Sequence, residues 1–127
     1  MKKAQKMVEE FAKERGWEKQ LPDHIAKSIA IEAAELLEHF QWVTPTAKEI
    51  KTNHEKLAEV RAELADVLIY SLQMANLLGI DAGDIVEEKL KFASKKYPAH
   101  IVKDHSNDKS VSYRKYLEIK KSYRLKK

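Results

Sequence analysis

Two stretches of this chain, residues 23–43 and 57–78, contain neither glycine nor proline, and both repeat apolar side chains at three- and four-residue spacing. That period belongs to helices, and a chain with two such runs must pair their apolar faces to leave water. Asp23, after Pro22, is placed to cap the first long helix, which is expected to run to about Val43, where Thr44 and Pro45 stop it. Its apolar face is Ile25, Ile29, Ala33, Leu36, Leu37 and Phe40. In the second run Leu57, Val60, Leu64, Val67, Leu68, Leu72, Ala75 and Leu78 form the stripe, and Gly79 is the expected C′ glycine.

The rest of the chain fits around this pair. Ala4, Met7, Val8, Phe11 and Ala12 share one face of a helix from Lys2 to about Arg15, ended by Gly16. One short helical turn is expected in the segment TPTAKEIK, and a third long helix from a cap at Asp81 to about Tyr97, closed by Pro98. Beyond it come a polar loop and a short helix of weak periodicity carrying Tyr113, Tyr116, Leu117, Tyr123 and Leu125. No strand pattern or internal repeat interrupts the series. The expected fold is therefore all-α, an antiparallel helical bundle whose helices pack against a partner subunit, because one thin bundle leaves Ile31, Ile69 and Met74 uncovered.

Composition removes several classes of function. With no cysteine, disulfides, thiolate metal sites and cysteine nucleophiles are excluded, and a reducing cytoplasm is the expected location. The densely charged N-terminus lacks the apolar run of a signal peptide, and nothing approaches the roughly 20 apolar residues of a membrane span, so no membrane partner is expected. The formal charge of +4 is uneven: residues 1–102 carry 15 Lys/Arg against 17 Asp/Glu, whereas residues 103–127 carry 9 against 3. The expected division is a helical domain over 1–102 and a basic tail over 103–127, either part of that domain or an appendage. A solvated end explains such a tail as well as a polyanion site does, so nucleic acid is not the expected main partner.

The chemistry lies in carboxylates. Glu32, Glu35 and Glu38 repeat every three residues along one flank of the first long helix; Glu59, Glu63, Asp66 and Tyr70 follow a flank of the second, turned away from the Leu57/Leu64/Leu68/Leu72 stripe. Two acidic rows facing each other repel unless a cation intervenes. Hard oxygen donors suit Mg²⁺, with Mn²⁺ as a substitute, held by a few carboxylates with positions open to substrate phosphates. The expected ligands are Glu32, Glu35, Glu63 and Asp66. A solvated helix also throws up E-x-x-E by chance, but these four are hemmed by Ile31, Ala33, Leu36, Leu64, Val67 and Leu68, an apolar setting that surface decoration rarely has. A di-iron bundle would pair glutamate with histidine three residues on, and no histidine here has that spacing.

Glu32-Ala-Ala-Glu35 followed by Glu63-Leu-Ala-Asp66 resembles the E-x-x-E and E-x-x-D signature of the all-α nucleotide pyrophosphohydrolases, the group of MazG, the dimeric dUTPases and the dCTP pyrophosphatases. The blocks EAAELLEHFQW (32–42), ELADVLIY (63–70) and KYP (96–98) resemble the MazG-like and dCTP pyrophosphatase-like branch, over residues 10 to 98. The resemblance implies Mg²⁺ on Glu32, Glu35, Glu63 and Asp66, with Glu38 an extra acidic group. It further implies Trp17, Trp42 and Tyr70 near the base and sugar of a nucleotide, and Lys89, Lys96 and Tyr97 near its phosphates. The branch has Asn where this chain has Ala93, and the dCTP enzymes have a histidine shortly after the first tryptophan where this chain reads Glu18-Lys19-Gln20-Leu21. The resemblance thus implies the metal chemistry and leaves the preferred base open.

The expected function is a Mg²⁺-dependent nucleoside triphosphate pyrophosphohydrolase, (d)NTP plus water to (d)NMP plus diphosphate, in nucleotide-pool house-cleaning. Glu35 or Glu38 is the expected catalytic group that orients the water. A homodimer or homotetramer is the expected assembly. The competing readings are a non-catalytic helical interaction module, which gives no magnesium response, and nucleic-acid binding through the basic tail, which gives salt-sensitive binding lost with residues 103–127.

Overall fold

The computed structural model describes residues 1–103 and 109–126, all of their regular structure helical. The order is α1 (Lys2–Glu14), α2 (Pro22–Glu38), α3 (Ala47–Thr52), α4 (His54–Leu77), α5 (Ala82–Lys96), α6 (Ala99–Val102) and α7 (Lys109–Leu125). The chain divides into two compact units, Met1–Gly83 and Asp84–Lys127. No helix among the described residues is long and apolar enough to cross a membrane.

In the first unit α4 is the spine: α2, α1 and α3 all pack on it. Leu72, Ala75 and Ala82 form its buried core, with Val8 of α1 and Ile80 packed against them. Gln5 fastens α1 to the end of α4, donating to Asn76 Oδ1 at 3.1 Å and to the Ile80 carbonyl at 2.9 Å while accepting from Ala82 N at 2.8 Å. The half-buried amides of Gln5 and Asn76 are paired in this clasp, so it orders the α1–α4 contact at little desolvation cost.

Two glycines shape the ends of the helices that flank the site. Gly16 (φ +69°) and Gly79 (φ +66°) take the left-handed conformation that a Cβ disfavours. Beyond Gly16, Trp17 N donates to the Ala12 carbonyl at 2.8 Å; beyond Gly79, Ile80 N donates to the Ala75 carbonyl at 2.8 Å. Both are Schellman closures, and the first folds Trp17 back over α1. At α3, Thr46 and Glu49 form a reciprocal capping box, and the Thr46 hydrogen bonds hold the Glu49 carboxyl below its ordinary range.

Several expectations shift. The cap of α2 is Leu21, with Pro22 at the first helical position, and Asp23 sits in the first turn, 3.1 Å from Lys27 Nζ. The helix ends at Glu38 and stops short of Val43: Phe40 N bonds the Leu37 carbonyl at 2.9 Å, a tightened turn that unwinds the chain ahead of Pro45. Phe40, Trp42, Val43 and Thr44 are poor helix formers, and Pro45 forces Thr44 out of the helical region, so the stop is spread over several residues.

The larger correction concerns faces. Ile25 is buried and Ile29, Leu36 and Phe40 are half-buried, but Ala33 and Leu37 lie exposed. On α4, Leu72 and Ala75 are buried while Leu64 and Leu68 are 47% and 50% exposed. The acidic flank of α4 lies away from that stripe, as expected, and sets half-buried Glu63 opposite Glu32 of α2. A helix that is apolar most of the way round carries two candidate inner faces, and periodicity alone does not choose between them.

The second unit joins α5, α6 and α7, with α6 against α7. Phe92 meets Tyr123 edge-on at 6.2 Å, and Tyr97 stacks on Tyr116 at 5.1 Å. The expected short final helix is 17 residues long, because the tyrosines behind its basic surface give it something to pack on. The polar loop expected before it falls partly on residues 104–108, outside the described residues.

Candidate metal centre

α2 and α4 run antiparallel, and their middle turns bring the acidic rows together. Glu32 of α2 and Glu63 and Asp66 of α4 each offer a carboxylate oxygen within 4.8 Å of the others, the one such group among the described residues. The spacing follows from helix geometry: Glu63 and Asp66, three residues apart, share a flank, and Glu32 faces them from the opposing helix. Octahedral Mg²⁺ with oxygens near 2.1 Å needs ligand atoms about 3–4 Å apart, so small rotamer adjustments would close this group on an ion. All-oxygen donors fit Mg²⁺ or Mn²⁺ and suit neither copper nor zinc thiolate chemistry.

The electrostatics agree with that fit. The Glu32 carboxyl is pushed above its ordinary range, first by partial burial, then by the charges of Glu35, Asp66 and Glu63 and by a side-chain hydrogen bond with Glu35. Glu35 is therefore close enough to act on Glu32 without joining the group of three. Glu38, the last residue of α2, is exposed and stands outside it.

This shift sets a pH dependence. Because the folded-state value of Glu32 is raised, the native protein holds this proton more tightly than the unfolded chain, and stability from this group falls as pH climbs above the ordinary glutamate value of 4.5. A cation relieves that cost only when the carboxylates are ionised. Melting with and without Mg²⁺ is expected to show a larger metal-induced rise in Tm at pH 7.5 than at pH 5; equal rises at both would remove Glu32 from the ion's surroundings.

Beside the carboxylates opens a cleft of ≈ 410 Å³ lined by Val8, Phe11, Ala12, Trp17, Gln20, Asp66, Ile69, Tyr70 and Gln73. Trp17 stands on its rim, 48% exposed, edge-on to Phe11 at 5.9 Å. Gln73 Nε2 donates to the Trp17 carbonyl at 3.4 Å and to Gln20 Oε1 at 3.3 Å, tethering the α1–α2 connection to α4. Arg15 lies over the Phe11 ring at 3.7 Å and donates to the Phe11 carbonyl at 3.0 Å, bracing the same corner from outside. Asp66 belongs to both the acidic group and the cleft, so a ligand with an apolar, stackable end and an anionic end finds both within one helical turn.

The remaining expected residues are distributed differently. Tyr70 lines the cleft, whereas Trp42, past the end of α2, is 85% exposed and is not among its lining residues. Lys89, Lys96 and Tyr97 belong to the second unit, where Lys96 Nζ lies 5.2 Å over Tyr97 and 4.8 Å over Tyr123, and Lys89 Nζ 5.2 Å over Phe92.

One residue at the site escaped the sequence reasoning. His39, 19% exposed, places Nε2 3.8 Å from Glu63 Oε1 and Nδ1 3.5 Å from Glu59 Oε2. Its signal was present: it follows Glu35 by four residues and Glu32 by seven, the spacing of one helical face, but a search restricted to histidine three residues after glutamate passes over it.

The chain is similar to known pyrophosphatases. Human dCTP pyrophosphatase 1 is 33% identical over 112 residues, which is 87% of this chain and 62% of the human protein. The mouse protein of the same name is 34% identical over 94 residues, 72% of this chain and 55% of that one. The chain thus spans less than two thirds of the length of these curated relatives. A solved pyrophosphatase from Archaeoglobus fulgidus shares the fold with a TM-score of 0.64 at 38% identity, covering 73% of this chain and 87% of that one. The model of the MazG-like family matches residues 27–112, a span that includes all three clustered carboxylates, and the chain belongs to that family.

Proposed function

We propose that this protein is a Mg²⁺-dependent nucleoside triphosphate pyrophosphohydrolase that converts a (d)NTP and water to the (d)NMP and diphosphate. The carrying observation is the junction at Asp66, where a three-carboxylate group on α2 and α4 adjoins an aromatic cleft. The names of the relatives, pyrophosphatases all, favour the same reaction.

In this reading Glu32, Glu63 and Asp66 hold the ion, and Glu35 completes the set. The ion supplies charge neutralisation to the triphosphate oxygens. Trp17 and Tyr70 take the base and sugar, which puts the phosphates toward Asp66. Glu35, beside Glu32 and still exposed, is the group best placed to orient and deprotonate the attacking water, ahead of Glu38 at the end of the helix. Positioning and charge, rather than a covalent step, carry the rate. A cytoplasmic setting suits a chain with no cysteine and a nucleotide substrate.

The test is a panel of canonical and modified (d)NTPs incubated with Mg²⁺ or with chelator, following monophosphate and diphosphate together. Metal-dependent release of both in equal amounts supports the reaction, and orthophosphate as the first product would replace it with a phosphatase. The preferred base emerges from the same panel.

The assembly follows from the outer faces. Ile31 and Leu37 of α2 and Leu64, Leu68 and Ile69 of α4 are 40–64% exposed, and burying one such side chain contributes about 1.5–3 kcal/mol. A homodimer or homotetramer formed over these faces covers them. Leu68→Glu is expected to convert it to monomer in size-exclusion chromatography with light scattering, and a wild-type protein already monomeric at micromolar concentration would remove this assembly.

A further inference from the structure

We infer that His39 is a positioning residue for Glu63, locked in one tautomer by Lys56. The inference rests on the reading of Glu63 as a metal ligand given above. His39 is the first residue past α2, and its ring is mostly enclosed between that helix end and the start of α4. Lys56 Nζ stands 3.0 Å from His39 Nδ1. An ammonium group only donates, so in this contact Nδ1 accepts and the ring proton sits on Nε2; Glu59 Oε2, 3.5 Å from the same Nδ1, faces that ammonium as well. Nε2 is the nitrogen that faces Glu63 Oε1, at 3.8 Å. Lys56 is itself held, 3.7 Å from Glu59 Oε2, and is largely covered.

The result is a directed chain, Lys56 to His39 to Glu63, that ends on a carboxylate of the three-membered acidic group. At 3.8 Å the last link is longer than a hydrogen bond, and a modest rotation of the Glu63 carboxylate closes it. Once closed, one face of that carboxylate is fixed and its rotation about the end of the side chain is stopped, leaving the other lone pairs aimed at the ion. A ligand oriented in this way loses less freedom on binding metal, and removing such outer partners elsewhere typically costs about 10–100-fold in metal affinity. Arginine or lysine at position 39 would offset one of the three negative charges; an imidazole that donates through Nε2 orients Glu63 and leaves its charge for the cation.

A structural role alone, in which His39 merely ties α2 to α4, makes a different prediction, and the test separates the two. Mn²⁺ binding to the full-length protein is measured by the loss of its free-ion EPR signal, with Mg²⁺ half-activation and nucleotide KM at saturating metal followed alongside. His39→Leu, which fills the same space without a donor, is expected to weaken Mn²⁺ binding about 10–100-fold and raise the Mg²⁺ requirement correspondingly, with KM at saturating metal unchanged. His39→Gln, whose amide reaches the Nε2 position, should recover most of the loss, and Lys56→Met should weaken binding in the same direction by freeing the tautomer. Glu63→Gln is the control. If Glu63→Gln loses Mn²⁺ while His39→Leu binds it as wild type does, or if His39→Leu and His39→Gln are equally weak, the positioning role is overturned and the metal site stands. If Glu63→Gln binds Mn²⁺ unchanged, the metal site itself falls. Should His39→Leu fail to fold by circular dichroism, Lys56→Met decides, wild-type binding in it overturning the inference.

Discussion

Glu63→Gln is expected to abolish turnover, by at least about 10²–10³-fold, while leaving the helical circular dichroism intact. Glutamine keeps the volume and both polar atoms of the side chain, so the half-buried position on α4 stays filled and the packing on α2 is preserved. Only the charge is lost. Without metal, the variant should melt no lower than wild type, because removing one of the charges that raise the Glu32 carboxyl relieves repulsion. With metal, the wild type should gain stability and the variant should gain little. That crossing pattern, a variant as stable as wild type without Mg²⁺ and less stable with it, is specific to a ligand, since a packing residue would cost stability under both conditions. Asp66→Asn is expected to behave likewise, with an added rise in KM because Asp66 also lines the cleft. Full activity in Glu63→Gln would move the reaction away from this acidic group.

How much of this was legible in the sequence differs from element to element. The lengths of α1, α4 and α5 followed from apolar period and from Gly16, Gly79 and Pro98, because those residues act on the chain next to them. The end of α2 did not, since no single residue stops it: the tightened turn at His39–Gln41 spreads the effect of Pro45 over a stretch whose apolar period still looks helical. The convergence of Glu32 with Glu63 and Asp66 was legible in spacing and type. The exposure of Leu64 and Leu68 was not, because α4 is apolar on more than one flank and periodicity does not say which of its leucines stay outside. A single-chain argument assigns the most apolar face to the inside; the proposed assembly would cover that face from outside.

The two tryptophans differ for a related reason. In the structure Trp17 and Trp42 each follow the end of a helix by a few residues. Gly16 in the left-handed conformation turns the chain at once, so Trp17 returns over Phe11 and onto the cleft. Trp42 follows a looser turn that carries it outward, and it is 85% exposed. For His39 the spacing from Glu32 and Glu35 was legible but its contact with Lys56, seventeen residues away in sequence, was not, because a contact across two helices leaves no trace in local spacing.

Trp17→Ala is expected to raise the nucleotide KM by about 5–150-fold, the cost of about 1–3 kcal/mol for losing one base-stacking surface, with kcat at saturation largely kept. The indole is half exposed at the mouth of the cleft and already makes an edge contact with Phe11, so it presents a free face without needing to reorganise. Trp17→Phe should retain most of the affinity. A purely structural tryptophan gives the opposite split, a lower Tm and an unchanged KM. Gly16→Ala supplies an independent route to the same point: nothing lies within 4 Å of the added Cβ, so the cost comes from the backbone at φ +69° and amounts to about 1 kcal/mol of stability. If that substitution relaxes the turn, Trp17 leaves its place over Phe11 and KM rises although no residue lining the cleft has changed. A rise in KM in Gly16→Ala, with Mn²⁺ binding unaffected, locates base recognition in the Schellman turn after α1 and separates it from the carboxylates of α2 and α4.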